Sequence, residues 1–183
     1  IAGTLSELKT HYPQQTTELP AEVAFVTTQQ LEDLYPAMSP KERENAYLKE
    51  HKAVFLMQIG GRLRSGLRHD GRAPDYDDWN LNGDLLYYSP LLDQAIELSS
   101  MGIRVDSESL DRQLTLAGCD ARRSLPFHRM LLDGELPLTI GGGIGQSRLC
   151  MLMIGACHIG EVQSSIWDKA TTDACRDAGI LLL

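Results

Sequence analysis

The sequence predicts an α/β chain of the α+β type, a mostly antiparallel central sheet flanked by helices. Three observations predict it. The runs "AVFLMQIGG", "LNGDLLYYSP" and "QAIELSSMGIRVD" are strand-like and follow one another without a helix between every pair, which favours antiparallel pairing. Helix-capping signals surround these runs and delimit short helices. No internal repeat or low-complexity linker interrupts the 183 residues, a length that suits one sizeable core.

In chain order, Ile1, Leu5 and Leu8 fall at helical spacing. "EVAFVT" alternates and is β-branched, a strand. Thr27 and Gln30 then fit a capping box opening a short helix through Tyr35. Ser39, Pro40 and Glu42 repeat the pattern with proline at the first helical position. "AVFLMQIGG" is continuously apolar and predicts a strand buried on both faces. "LNGDLLYYSP" predicts another strand, with a turn signal at Asn82-Gly83. "SESLDRQLTLAG" and "LPFHRMLLDG" read as helices, each stopped by glycine.

"QAIELSSMGIRVD" changes phase midway. Ile96 and Leu98 share one face, whereas Met101, Ile103 and Val105 share the opposite one. A β-bulge near Ser99-Ser100 reconciles the halves. With one extra residue there, Glu97, Ser99, Gly102 and Arg104 are expected to point together, away from the core. A polar row on a sheet face suits ligand binding.

Composition sets limits. The apolar fraction of 43% and charged fraction of 23% suit a soluble globular chain. No apolar run reaches transmembrane length, no signal-peptide pattern opens the sequence, and a cytoplasmic protein is expected. The net charge of −8 argues against a nucleic-acid surface. Cys119, Cys150, Cys157 and Cys175 form no CxxC pair, so buried reduced thiols are expected. His11, His51, His128 and His158 show no ligand spacing, and His69 reads as a surface or loop histidine.

Two stretches could carry chemistry. Residues 62–84 hold Arg62, Arg64, Arg68 and Arg72, then Asp70, Asp75, Asp77, Asp78 and Asp84. This is either a self-neutralising solvated loop or an anion site with carboxylates for an amine or Mg²⁺, which takes one or two carboxylates plus substrate phosphates. Asp84 and Glu97, on neighbouring strands, could converge on such an ion. The second stretch is "TIGGGIGQSRLCMLMIG". It fits neither a P-loop, which needs Lys and Ser/Thr after its last glycine, nor a dinucleotide loop, where Arg148 occupies the third glycine's place. Glycines admit close backbone approach and helix N-termini favour anions. Arg148 in the first turn could stack on a base for about 0.5–2 kcal/mol or bind phosphate. Equally, the stretch could be a packing turn with Arg148 on the surface.

Together these stretches resemble one family closely. "GGGIGQSRL" is similar to motif 3 of class II aminoacyl-tRNA synthetases. "IELSSMGIRVD", "RHDGRAPDYDDW", "LNGDLLYYSP" and "HIGEVQSSIW" resemble the ammonia-dependent asparagine synthetases, or aspartate–ammonia ligases, in the family's order from about Ala2 to the C-terminus. The resemblance implies the class II synthetase-like fold and a homodimer. It also implies ATP-dependent formation of L-asparagine from L-aspartate and ammonia through β-aspartyl-AMP, with Mg²⁺. It assigns Arg148 and Gly145 to ATP, Glu97 to the α-phosphate and, with Asp84, to Mg²⁺. Asp77 falls in the aspartate and nucleotide pocket, Ser99, Ser100 and Gly143 at the substrate, and Arg104 at a substrate carboxylate.

The match covers about the C-terminal half of the family, so residues 1–183 are expected to be the C-terminal part of a single catalytic domain. Motifs 1 and 2 are absent. A preceding N-terminal half is expected, and without it no catalysis. The family's longer loop between "DYDDW" and "LNGD" is also absent, since Trp79 runs directly into Asn80. The loop is either shortened or missing from the sequence. The alternatives are an aspartyl-tRNA synthetase relative, disfavoured by the acidic charge, and a non-catalytic paralogue, disfavoured by the intact Glu97, Arg104 and Arg148.

Overall fold

The computed structural model describes residues 1–15 and 17–183. It contains five strands: β1 (Ala24–Thr27), β2 (Ala53–Met57), β3 (Asp77–Ser89), β4 (Gln94–Arg104) and β5 (Ile140–Ile144). The helices are α1 (Ala2–His11), α2 (Thr28–Leu34), α3 (Pro40–His51), α4 (Ser107–Ala117), α5 (Pro126–Leu132), α6 (Gln146–Ile154) and α7 (Lys169–Asp177). The strands form one sheet in the order β1-β2-β3-β4-β5. Among the described residues only the β1–β2 pair is parallel; the other three pairs are antiparallel, and β2–β3 and β3–β4 are so as expected from strands adjacent in sequence.

Local signals place the helices. Thr27 accepts from the Gln30 N–H while Gln30 returns to the Thr27 N–H, and Ser39 and Glu42 do the same for α3. Asp106 and Ser109 form a third box at α4, which Gly118 ends in the left-handed conformation with φ 67°.

The sheet has two unlike faces. On one, α2 and α3 bury Leu31 and Leu48 against Val26, Val54, Leu56, Leu86, Tyr88 and Ala95. These helices cover only one end of that face and leave the rest open for polar groups. On the back face, Leu152 of α6 packs on Tyr87 and Leu98. Beyond α6 that face carries Phe55, Met57, Met101, Ile103, Ile140 and Ile144 around a shallow hollow of about 750 Å³. A third cluster of Val105, Leu110, Leu114 and Leu131 fixes α4 to α5.

Four expectations need correction. Asn82-Gly83 is not a turn. Asn82 lies inside β3, where its side-chain amide both accepts from the Ile59 N–H and donates to the Ile59 carbonyl, each at 2.8 Å. Gly83 is needed because a Cβ there would stand 2.6 Å from the Phe55 ring. β2 is only partly buried on its back face, where Phe55 and Met57 are half-exposed. Of the cysteines only Cys175 is buried; Cys150 and Cys157 are exposed, and all four are free. Finally, "IGGGI" is not a packing turn but the edge strand β5, paired to β4 from Ser99↔Ile144 to Ile103↔Ile140.

Candidate active site

The site occupies the uncovered end of the α2–α3 face. A bulge in β4 decides which side chains reach it. Leu85 pairs with Ser99 and Leu86 with Glu97, so Leu98 is the extra residue. The bulge therefore falls one position earlier than the phase change suggests. Leu98 turns to the back-face core, and Ser99 turns with it. The Ser99 hydroxyl donates to the Gly143 carbonyl at 2.9 Å, tying β5 to β4, and Ser99 borders the back-face hollow. Ser100 takes its place beside Glu97, Gly102 and Arg104. The polar row is thus Glu97, Ser100, Gly102 and Arg104, and Ser99 is a strand tie.

Three arginine–carboxylate pairs line this face. Arg104 pairs with the buried Asp77, donates to the Tyr76 hydroxyl at 3.0 Å and lies 3.9 Å from the Tyr76 ring centre. Arg72 pairs with Asp84. Arg148 reaches Glu97 at 3.5 Å and also donates to its carbonyl at 3.3 Å. Arg148 sits at the third position of α6 behind Gly145, within the first turn as expected.

Glycines form the floor beneath the pairs. A Cβ on Gly102 would meet Asp77 Cγ at 2.8 Å, and one on Gly141 would meet Arg104 Nη2 at 2.3 Å. A Cβ on Gly145 would rest on Arg148 at 3.7 Å, whereas one on Gly143 would meet nothing among the described residues within 4 Å. Gly141 and Gly143 alternate onto the site face of β5, so the absence of their side chains lowers that edge of the sheet.

Each arginine of the site is balanced by a carboxylate. Burial pushes the Asp84 carboxyl above its ordinary range. The Ser100 hydroxyl and the Arg72 guanidinium oppose this, while Glu97 and Asp70 reinforce it. Asp84 thus feels Glu97 as a second negative charge, which places the two expected Mg²⁺ ligands on one stretch of the sheet. Two carboxylates fit a Mg²⁺ that also takes phosphate oxygens. Among the described residues no group of three or more His, Cys, Asp or Glu could hold a metal alone.

Sequence reasoning missed three partners here. Arg72 was one of four arginines in its run, and only the fold selects it for Asp84. Tyr76 covers Arg104, a role that adjacency to Asp77 alone does not signal. His69, expected at the surface or in a loop, lies in the β2–β3 connection but is buried there and meets Glu44 at 3.0 Å.

A family model described as "Aspartate-ammonia ligase" matches residues 1–179. The chain is 58% identical over 176 residues to an aspartate–ammonia ligase of Fusobacterium nucleatum, covering 96% of this chain and 54% of that protein. It is 60% identical over 172 residues to the enzyme of the same name from Levilactobacillus brevis, covering 94% and 51%. The chain therefore spans about half the length of the curated relatives it matches. Among solved structures, the aspartyl-tRNA synthetase of Entamoeba histolytica superposes with a TM-score of 0.60 at 16% identity, over 91% of this chain and 38% of that one. The asparaginyl-tRNA synthetase of the same organism, in complex with asparaginyl-adenylate, gives 0.57 at 14% identity, over 86% and 38%. The architecture is thus shared with class II aminoacyl-tRNA synthetases, while the family model and the closely similar ligases go further: the chain belongs to the aspartate–ammonia ligase family.

Proposed function

We propose that the protein containing this chain synthesises L-asparagine from L-aspartate and ammonia at the expense of ATP. The observation that carries this reading is the glycine-floored sheet face with three arginines, each resting on a carboxylate. Arginine binds phosphate and carboxylate through the same planar fork. A ligand bringing both groups can take over these arginines while the sheet beneath stays fixed.

The side-chain carboxylate of aspartate attacks the α-phosphorus of ATP, forming a P–O bond as the bond to pyrophosphate breaks. Ammonia then attacks the acyl carbon of β-aspartyl-AMP. AMP departs with the C–O bonding pair, and the nitrogen loses a proton to give the amide. Arg148 clamps the nucleotide and Gly145 lets it approach the backbone; beyond its expected place at the substrate, Gly143 extends this floor, because its open face lies opposite Ser100. Arg104, oriented by Asp77 and Tyr76, receives a carboxylate of aspartate. Ser100 lies between Glu97 and Gly102 as a hydrogen-bonding group for the reacting centre. Asp84 and Glu97 would hold Mg²⁺, which when bound neutralises phosphate charge. The chain forms the C-terminal part of one catalytic domain, in a cytoplasmic homodimer.

The test is product analysis of the intact protein with ATP, Mg²⁺, aspartate and ammonium. Asparagine, AMP and pyrophosphate in equal amounts are expected. Aspartate transferred to tRNA in place of asparagine formation would instead establish the synthetase alternative. Failure to form any AMP would reject a catalytic role.

A further inference from the structure

The segment joining β2 to β3, residues 58–76, is longer than the roughly 12–15 residues at which irregular connections become uncommon in compact domains. It is nevertheless stitched down. Ser65 donates to Glu32 of α2 at 2.6 Å, and Arg64 pairs with Asp33 at 2.6 Å. Farther along, His69 Nε2 meets Glu44 of α3 at 3.0 Å. Then His128 Nε2 of α5 meets Asp75 at 2.9 Å, with Arg122 on the same carboxylate at 2.8 Å. Arg72 stands three residues after His69 and three before Asp75.

Both histidines are costly as stability devices. Their side chains are only 1% and 9% exposed, and each leaves Nδ1 buried without a hydrogen-bond partner among the described residues. An unsatisfied buried polar atom costs about 1–3 kcal/mol, so an apolar anchor would hold a loop more cheaply. An imidazole–carboxylate contact does what an apolar anchor cannot, fixing direction as well as proximity.

We propose that His69 and His128 are positioning residues, whose contacts clamp the chain three residues to either side of Arg72 and hold its guanidinium over Asp84 for substrate binding. This rests on the ligase reading of the site. The clamps grip opposite ends of a short irregular span, so releasing either lets Arg72 drift while β3 and β4 stay in register. A misplacement of about 1 Å can cost around 100-fold.

The experiment uses the intact protein and compares His69→Ala, His128→Ala, Arg72→Ala and the double variant His69→Ala/Arg72→Ala. We expect each histidine variant to raise the KM of the same substrate that Arg72→Ala affects, by about 10–100-fold, with a much smaller change in kcat. The double variant should be no worse than Arg72→Ala alone, because the clamp acts only through that arginine. His69→Gln, which keeps an N–H donor near the Nε2 position, should restore most of the loss. Losses that multiply in the double variant, or fall on kcat alone, would overturn the proposal. If His69→Ala does not fold, His69→Gln and Glu44→Ala carry the same comparison. Backbone order parameters from NMR relaxation separate this proposal from the ligase reading: even in a protein that makes no asparagine, His69→Ala should lower them at residues 70–73, leaving β3 and β4 unchanged. Equal order parameters in parent and variant would refute the clamp.

Discussion

Gly143→Ala separates two reasons for a glycine that usually act together. An added Cβ at Gly143 meets no atom of the described residues within 4 Å. Its backbone also lies outside the left-handed region, since Gly143 is not among the positive-φ glycines. Nothing in the fold therefore requires glycine here, and alanine reduces the freedom of the unfolded chain. Such a change stabilises by about 0.4–1 kcal/mol where the native conformation suits alanine. The open space above Gly143 lies on the site face, opposite Ser100. A nucleotide resting on this strand edge would meet the new methyl group. A contact forced apart there should cost at least about tenfold in ATP affinity, or 1.4 kcal/mol. The two assays thus move in opposite directions. Urea denaturation should show a gain in stability, and isothermal titration with ATP should show a loss of affinity. Unchanged ATP affinity would remove Gly143 from the nucleotide site. A loss of stability would show that the glycine serves the fold.

Gly141→Ala should act from beneath. Its Cβ would press on Arg104 Nη2 at 2.3 Å, the mobile end of a side chain, so a stability loss of no more than about 1 kcal/mol is expected together with a rise of about tenfold in the aspartate KM; an unchanged KM would free Arg104 from substrate binding. Arg148→Ala should lower ATP affinity by about 10–100-fold, the range for losing a charged hydrogen-bond donor. Because its side chain is 49% exposed, stability should shift by no more than about 0.5 kcal/mol, and calorimetry with ATP measures the first effect. For Asp84 the pKa is raised in the fold, so the native state binds a proton more readily than the unfolded chain does. The contribution of Asp84 to stability therefore falls as pH rises through the window above its ordinary value of 3.8. The stability of the parent relative to Asp84→Asn should drop between pH 4 and pH 7; a rise would show that the Arg72 pair outweighs burial.

Features governed by near neighbours were legible from sequence. The Thr27–Gln30 and Ser39–Glu42 boxes formed as expected, because each depends on two residues three apart. The antiparallel pairing of β2, β3 and β4 followed from their adjacency along the chain. Arg148 fell in the first turn of α6 because glycine before a helix-forming run marks an N-terminus. Long-range partners were not legible in the same way. His69 read as a surface or loop residue, and its burial within the loop was not legible because its carboxylate, Glu44, lies on a helix that only the folded chain brings near. Asn82-Gly83 carries a turn signal, yet in the fold the Asn82 amide satisfies both polar groups of Ile59. A distant backbone thus overrides a local preference.

The bulge in β4 shows where periodicity reaches its limit. Alternation proves that an extra residue exists, because Ile96 and Met101 cannot share a face on an unbroken strand. It does not say which residue is extra, since any position between them restores the phase. The choice is made by packing: Leu98 fits the apolar pocket of Tyr87 and Leu152, and no serine could fill that pocket as well. Placing the leucine there turns Ser99 to the back face and brings Ser100 into line with Glu97. An apolar contact on one side of the sheet thereby selects the hydroxyl presented on the other. A substitution such as Leu98→Ser would weaken that contact and let the bulge migrate, so the back-face core is part of what specifies the site.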